Sequence, residues 1–189
     1  MKLRELLDKE PKCIWCKIVM IALFILIFTG TDLIVKEFVT QVLKNKPEVV
    51  VIPGFWSFYY VVNDDIGFSI LRWLNNFLKN PTAKWIFLVC LQGTGAIAVI
   101  SFYFYSKQLK MLVPLALISS GALGNLIDRI IRGYVVDYVM WYYKSFVWPI
   151  WNLADMFIVI GASLLFIVLF FFTKDEKEQI KHSGESNNI

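Results

Sequence analysis

Three aspartates, Asp128, Asp137 and Asp155, lie in a stretch from Ser119 to Ala162 that is otherwise largely apolar. A carboxylate at membrane depth costs about 2.5–3.5 kcal/mol even on lenient insertion scales, so each marks a candidate functional site. Two of them have an asparagine in the adjacent helical turn, Asn125 with Asp128 and Asn152 with Asp155. An amide offers both donors and acceptors to a buried carboxylate. Asp137 and Asp155 are separated by about 17 residues, enough chain for the two carboxylates to meet. Two close carboxylates cannot both ionise cheaply, so the pair shares a proton. The charged member then acts as general base on a water, and the protonated member donates to a carbonyl oxygen. These residues therefore point to a membrane-embedded two-aspartate peptidase.

Three other readings compete on the residues alone. Asp137 and Asp155 could each bond backbone or arginine partners for purely structural reasons. The acids could form the relay of a small proton-coupled transporter or channel subunit, or the chain could be a non-catalytic scaffold. A relay strings its acids across the bilayer, whereas Asp32, Asp128, Asp137 and Asp155 all map near one face. Asp128 adjoins Arg129, and this neighbouring opposite charge suggests a structural carboxylate.

The residues that are missing narrow the chemistry further. The single histidine, His182, lies in the polar C-terminal tail. That leaves no Ser-His dyad in the membrane and no HExxH metal site, so no metal and no cofactor is expected. No GxGD occurs. Cys13 and Cys16 form one CxxC without the second pair that zinc requires, and are read as structural thiols. Cys90 is read as a small packing residue inside the second helix.

The elements that must position these groups are helices in lipid. Of 189 residues, 58% are hydrophobic, against 45–50% in soluble domains. A bilayer core of about 30 Å needs roughly 20 apolar residues per helix. Four stretches qualify, at 14–38, 84–105, 111–131 and 152–173. The expected fold is thus an α-helical membrane protein with four transmembrane helices in a single membrane domain. The formal charge of +4 includes no patch dense enough to track nucleic acid. The basic start resembles a signal peptide, but Asp8 and Glu10 interrupt it and no small-x-small site follows Phe28, so the first helix is read as retained.

In that first helix Asp32 and Lys36 are four apart and share a face. They read either as an interfacial pair with a snorkelling lysine or as polar groups serving the bundle. Residues 41–81 form an extracytoplasmic segment, with two strands at 49–52 and 55–62 around Pro53-Gly54. Ile70, Leu71, Leu74, Phe77 and Leu78 then recur at helical spacing opposite Arg72, Asn75, Asn76 and Lys79, the pattern of a short interfacial amphipathic helix. Gly93 and Gly95 would let the second helix pack closely. Ala116, Ser120 and Gly124 make a small-residue stripe on the third, extended by Asp128. Asn152, Asp155 and Ala162 share one side of the fourth. Residues 132–151 read as an outer aromatic loop, serving as an interfacial belt or as the wall of a substrate groove. Residues 174–189 read as a polar cytoplasmic tail. Ten Lys/Arg in the tails and the 107–110 connector, against eight in or beside the outer loops, lean toward cytoplasmic termini.

Taken together, the motifs resemble those of the bacterial lipoprotein signal peptidases (signal peptidase II). Gly124-Asn125-Leu126-Ile127-Asp128-Arg129 resembles that family's GNLxDR, Val135-Val136-Asp137-Tyr138 its VVDF/Y, and Asn152-Leu153-Ala154-Asp155 its FNxAD, with Trp151 for the usual Phe. Asp32 to Lys36 resembles its DxxxK, and Val51-Ile52-Pro53-Gly54-Phe55 its IPGFF-like strand. The match spans residues 18–172. It implies an aspartic endopeptidase of the bacterial cytoplasmic (inner) membrane, probing prolipoproteins near its outer face. Such an enzyme removes the signal peptide just before the lipid-modified, diacylglyceryl-bearing cysteine. On this resemblance Asp137 and Asp155 are the catalytic pair, and Asn63, Asn125, Asp128, Arg129 and Asn152 support site and substrate. The implied partners are prolipoproteins and membrane lipid, with the enzyme monomeric. One departure is Asp65 where the family's NxGAAF has glycine; aspartate tolerates a left-handed turn better than most residues.

Overall fold

The computed structural model of the chain describes residues 13–64 and 80–172. The expected amphipathic helix, Asp65 and the 174–189 tail lie outside the described residues. Among the described residues, four helices are long and apolar enough to cross a membrane: α1 (Ile14–Leu43), α2 (Pro81–Tyr105), α3 (Leu109–Arg132) and α4 (Leu153–Phe170). Four strands among the same residues make one antiparallel sheet in the order β1 (Val49–Ile52), β2 (Trp56–Asn63), β3 (Val135–Tyr143), β4 (Phe146–Val147).

The bundle is built around α3. Its apolar window is 67% buried, against 11–17% in the other three helices. Those three turn large apolar residues outward, among them Leu26, Ile34, Ile97 and Phe166. Residues so exposed on three helices require an apolar surround, so the hydropathy that marks the spans also faces lipid. Inside, Ile21, Tyr103, Met111, Leu112, Leu115 and Ala116 form one core cluster between α1, α2 and α3. At that end Lys17 Nζ donates to the carbonyls of Phe104 and Ser106, and Tyr103 OH donates to Lys17 O. A cation there satisfies carbonyls that the end of α2 leaves open.

Helix ends follow local chemistry. Asn80 Oδ1 accepts from the backbone of Thr82 and Ala83, and Pro81 occupies the first turn, so α2 starts there. Gly133 adopts φ 84° and ends α3, since a left-handed residue stops a helix at least cost when it lacks a Cβ. α4 opens with a capping box: Asn152 Oδ1 accepts from Asp155 N–H, and Asp155 Oδ2 from Asn152 N–H.

α1 continues past the expected end at 38, because Val39 and Leu43 keep a buried stripe against Val136, Tyr138 and Val139 of β3. Much of the expected aromatic loop at 132–151 is strand rather than loop. Residues 135–139 are all buried, so no polar alternation marked the strand in the sequence. Trp141 and Trp151 wall a groove, whereas Tyr143, Phe146 and Trp148 are exposed on the β3–β4 hairpin.

Three packing expectations are corrected. A Cβ at Gly93 or Gly95 would meet nothing within 4 Å, so neither marks a close helix contact. Cys90 is exposed on α2 rather than packed inside. On α4 the buried small residues are Ala154 and Gly161, and Ala162 is exposed. The α3 stripe does make the close contacts expected of it: Ala116 and Ser120 are fully buried, and Thr29 Oγ1 donates to Ser120 O at 2.8 Å.

Candidate active site

Asp137 sits in the part of β3 that pairs with β2, where Val61 is its opposite number and Asn63 pairs with Val135. The chain returns from the hairpin so that Trp151 bridges Val139, with Val139 N–H donating to Trp151 O at 2.8 Å and Trp151 N–H to Val139 O at 3.2 Å. This ladder sets the N-cap of α4 beside the strand. Asn152 Nδ2 therefore donates to Asp137 Oδ1 at 2.6 Å, and Asn63 Nδ2 to Asp137 Oδ2 at 2.7 Å.

The second acid is held by a third amide, itself bonded to Asn152. Asn125 Nδ2 donates to Asp155 Oδ1 at 2.7 Å, while Asn125 Oδ1 accepts from Asn152 Nδ2 at 3.1 Å. Asp137 and Asp155 are thus joined through two asparagines. Asp137 is 2% exposed. Burial first, and then the charge of Asp155, push its pKa from the ordinary 3.8 up to about 7, against the pull of Asn63, Asn152 and Lys36.

Lys36 lies under this pair, fully buried. Its Nζ donates to Asn125 Oδ1 at 2.9 Å and pairs with Asp32 Oδ2 at 2.8 Å and Asp128 Oδ2 at 3.3 Å. The interfacial snorkelling reading of Asp32 and Lys36 is thereby corrected; both are inside the bundle. Asp32 Oδ1 also accepts from Ala154 N–H at 2.9 Å, which ties α1 to the first turn of α4. Gly124 makes room for this: a Cβ there would lie 2.6 Å from Asp32 Oδ2.

Asp128 is also placed differently from the expectation. Its cations are Lys36 and Arg132, whose Nε lies 3.0 Å from Asp128 Oδ1, rather than the adjacent Arg129. Consecutive helix residues point in different directions, while residues four apart share a face. Asp128 Oδ2 further accepts from Val136 N–H at 3.2 Å, just before Asp137. Arg129 Nη1 donates to Gln92 Oε1 at 2.8 Å and its carbonyl accepts from Trp85 Nε1 at 2.6 Å; its charge still acts on both Asp137 and Asp155.

Phe38, Val42, Phe58, Trp141, Trp151 and Met156 help line an apolar groove of about 800 Å³ between α1 and the sheet, which Tyr138, the chain neighbour of Asp137, also lines. Among the described residues, no three His, Cys, Asp or Glu side chains are grouped to hold a metal ion.

A family model described as signal peptidase (SPase) II matches residues 23–171. The chain belongs to the signal peptidase II family. It is therefore a multi-pass membrane protease. A lipoprotein signal peptidase of Symbiobacterium thermophilum is 33% identical over 143 residues, covering 73% of this chain and 86% of that one. Another, from Xanthomonas axonopodis pv. citri, is 34% identical over 153 residues, covering 79% and 84%. The fold resembles a bacterial membrane enzyme solved by the in meso method at 2.3 Å resolution, with TM-score 0.70 and 29% identity over 90% of this chain and 96% of that one. A second such structure, at 1.9 Å, gives TM-score 0.67 and 28% identity over 87% and 97%.

Within this signal peptidase II chain, Asp32, Lys36, Asn63, Asn125, Asp128, Asp137, Asn152 and Asp155 form one connected polar network. Arg132, Gln92 and Trp85 were missed by the sequence reading. For Arg132 the signal was present, since it stands four residues after Asp128 just as Lys36 stands four after Asp32.

Proposed function

We propose that this protease removes signal peptides from diacylglyceryl-modified prolipoproteins, cutting just before the lipidated cysteine, with Asp137 and Asp155 as the catalytic pair. The observation that carries the reading is the linkage of the buried Asp137 to the half-buried Asp155 by Asn125 and Asn152. One carboxylate takes a proton from the attacking water as its oxygen bonds to the scissile carbonyl carbon. The protonated partner donates to the carbonyl oxygen. As the tetrahedral species collapses, the C–N bond breaks and a proton passes to the leaving amine. Asn63, Asn125 and Asn152 hold the acids in place, and Asp32, Lys36 and Asp128 hold the asparagines and the strand. The apolar groove next to Tyr138 and Met156 suits a substrate carrying acyl chains. The relatives named lipoprotein signal peptidase support the same substrate.

We place the enzyme as a monomer in the bacterial cytoplasmic membrane, with termini inside and the aspartates toward the outer face. The charge distribution supports that orientation. A single cysteine at position 45, in a chain freed of Cys13, Cys16 and Cys90, should label from outside; labelling only from the cytoplasmic side contradicts the orientation. The function itself is tested by incubating purified protein with a diacylglyceryl-modified prolipoprotein and following release of the signal peptide. No release from the modified precursor contradicts it.

A further inference from the structure

We propose that Arg132 is a positioning residue for the Asp137–Asp155 pair, holding it in place and balancing its charge through Asp128. The inference rests on the peptidase reading of that pair. Arg132 is the last residue of α3, yet three of its nitrogens are engaged. Nε faces Asp128 Oδ1 at 3.0 Å, Nη2 donates to Glu37 Oε2 at 2.9 Å, and Nη1 donates to Thr40 Oγ1 at 3.3 Å. The side chain is 19% exposed, between Asp128 at 1% and Glu37 at 53%. It therefore clamps the end of α3 to α1 while its inner edge meets a buried acid.

That acid reaches the reacting pair by two routes. Asp128 Oδ2 accepts the N–H of Val136, one residue before Asp137 in β3. The same oxygen lies 3.3 Å from Lys36 Nζ, which in turn fixes Asn125, the amide that donates to Asp155. Charge is the second argument. At the inner end of this cluster Asp32 and Asp128 face Lys36 and Arg132, two acids against two bases, while the exposed Glu37 meets only the outer edge of Arg132. Without Arg132 this cluster carries one unbalanced negative charge next to a pair that already shares a proton. Such a charge favours the protonated form of the pair.

The other groups around the pair do not supply the missing charge. On α1 stand Asp32, Lys36 and the exposed Glu37; on α3, Asp128 and Arg129; on α4, Asp155; on the strands, Tyr60 and Tyr138, with Tyr134 just before β3. The more distant Asp64 pairs with Lys84. Arg129 is already engaged by Gln92, and Lys36 is shared by two acids.

The test compares wild type with Arg132→Gln, which keeps a donor for Asp128 but loses the charge, and Arg132→Lys, which keeps the charge. The acid limb of the kcat/KM profile for a diacylglyceryl-modified prolipoprotein should move up by about half a unit to one unit in Arg132→Gln. It should stay near its wild-type position in Arg132→Lys. Adding Asp128→Asn to Arg132→Gln removes one charge of each sign and should move the limb back toward wild type. Glu37→Gln, which leaves the Nε contact in place, should not move it. Carbon-13 NMR of labelled aspartates follows the titration of the pair without substrate, so it reports the same shift even where cleavage is absent. If wild type fails to cleave but the NMR midpoint shifts as stated, the peptidase reading falls and the role of Arg132 stands. Coincident limbs and midpoints in wild type and Arg132→Gln, or an equal shift in Arg132→Lys and Arg132→Gln, overturn it.

Discussion

Lys36 Nζ donates to Asn125 Oδ1 at 2.9 Å, and with Asn152 Nδ2, which donates to the same oxygen at 3.1 Å, it fixes which way the Asn125 amide faces. With its oxygen turned to the ammonium, Asn125 presents Nδ2 to Asp155 Oδ1 at 2.7 Å. A lysine on α1 therefore orients a donor on α3 toward an acid on α4. Lys36→Met removes the cation shared by Asp32 and Asp128 and one of the two donors on the Asn125 amide oxygen. Losing one partner of a buried ion pair costs about 3–5 kcal/mol. Thermal unfolding in detergent should show a large fall for Lys36→Met, partly recovered by adding Asp32→Asn. An unchanged midpoint contradicts this account of Lys36.

Gly124 tests how tightly the acids are packed. A methyl group there would meet Asp32 Oδ2 at 2.6 Å and Ala154 Cβ at 3.3 Å, pushing the carboxylate off Lys36 or α4 off α3. Overpacking of this kind costs about 1–3 kcal/mol. Gly124→Ala should lose both stability and activity. Gly95→Ala meets nothing within 4 Å and should be neutral or slightly stabilising, since alanine favours helix. Equal behaviour of the two variants in a melting and cleavage assay contradicts the packing argument.

The raised pKa of Asp137 carries a stability signature. In the folded chain Asp137 releases its proton near pH 7, whereas unfolded it does so near 3.8. Between these values the folded state binds more protons, so the contribution of Asp137 is fully present below 3.8 and is lost as pH rises through about 7. Asp137→Asn should flatten this part of the stability curve in detergent. A wild-type curve that rises across the same window, with the slope also carried by Asp137, contradicts the stated sign.

Much of the site was legible because polar groups are conspicuous in lipid. Asp137 and Asp155 stood out by the cost of placing them there, and Asp32 and Lys36 by their helical spacing. What the sequence hid was direction. Asp128 was matched to its chain neighbour Arg129, though the residue on the same helix face is Arg132. Strand β3 was hidden because residues 135–139 are buried on both faces and show no alternation. Cys90, Gly93 and Gly95 were placed inward, but a helix in lipid is apolar all round and its periodicity does not say which face meets protein.

The central claim is that Asp137 and Asp155 act as one catalytic unit. Asparagine is nearly isosteric with aspartate but cannot take or share a proton at neutral pH. It also offers Asn152 or Asn63 a donor where each now finds an acceptor. Acid–base assistance is typically worth 10²–10⁴-fold per group. The most direct measurement is the cleavage rate of a diacylglyceryl-modified prolipoprotein by purified, stably folded wild type, Asp137→Asn, Asp155→Asn and the double variant. The account predicts that each single variant loses at least about 10²-fold and that the double variant is little worse than either. A single variant, folded as wild type, that still cleaves near the wild-type rate contradicts it.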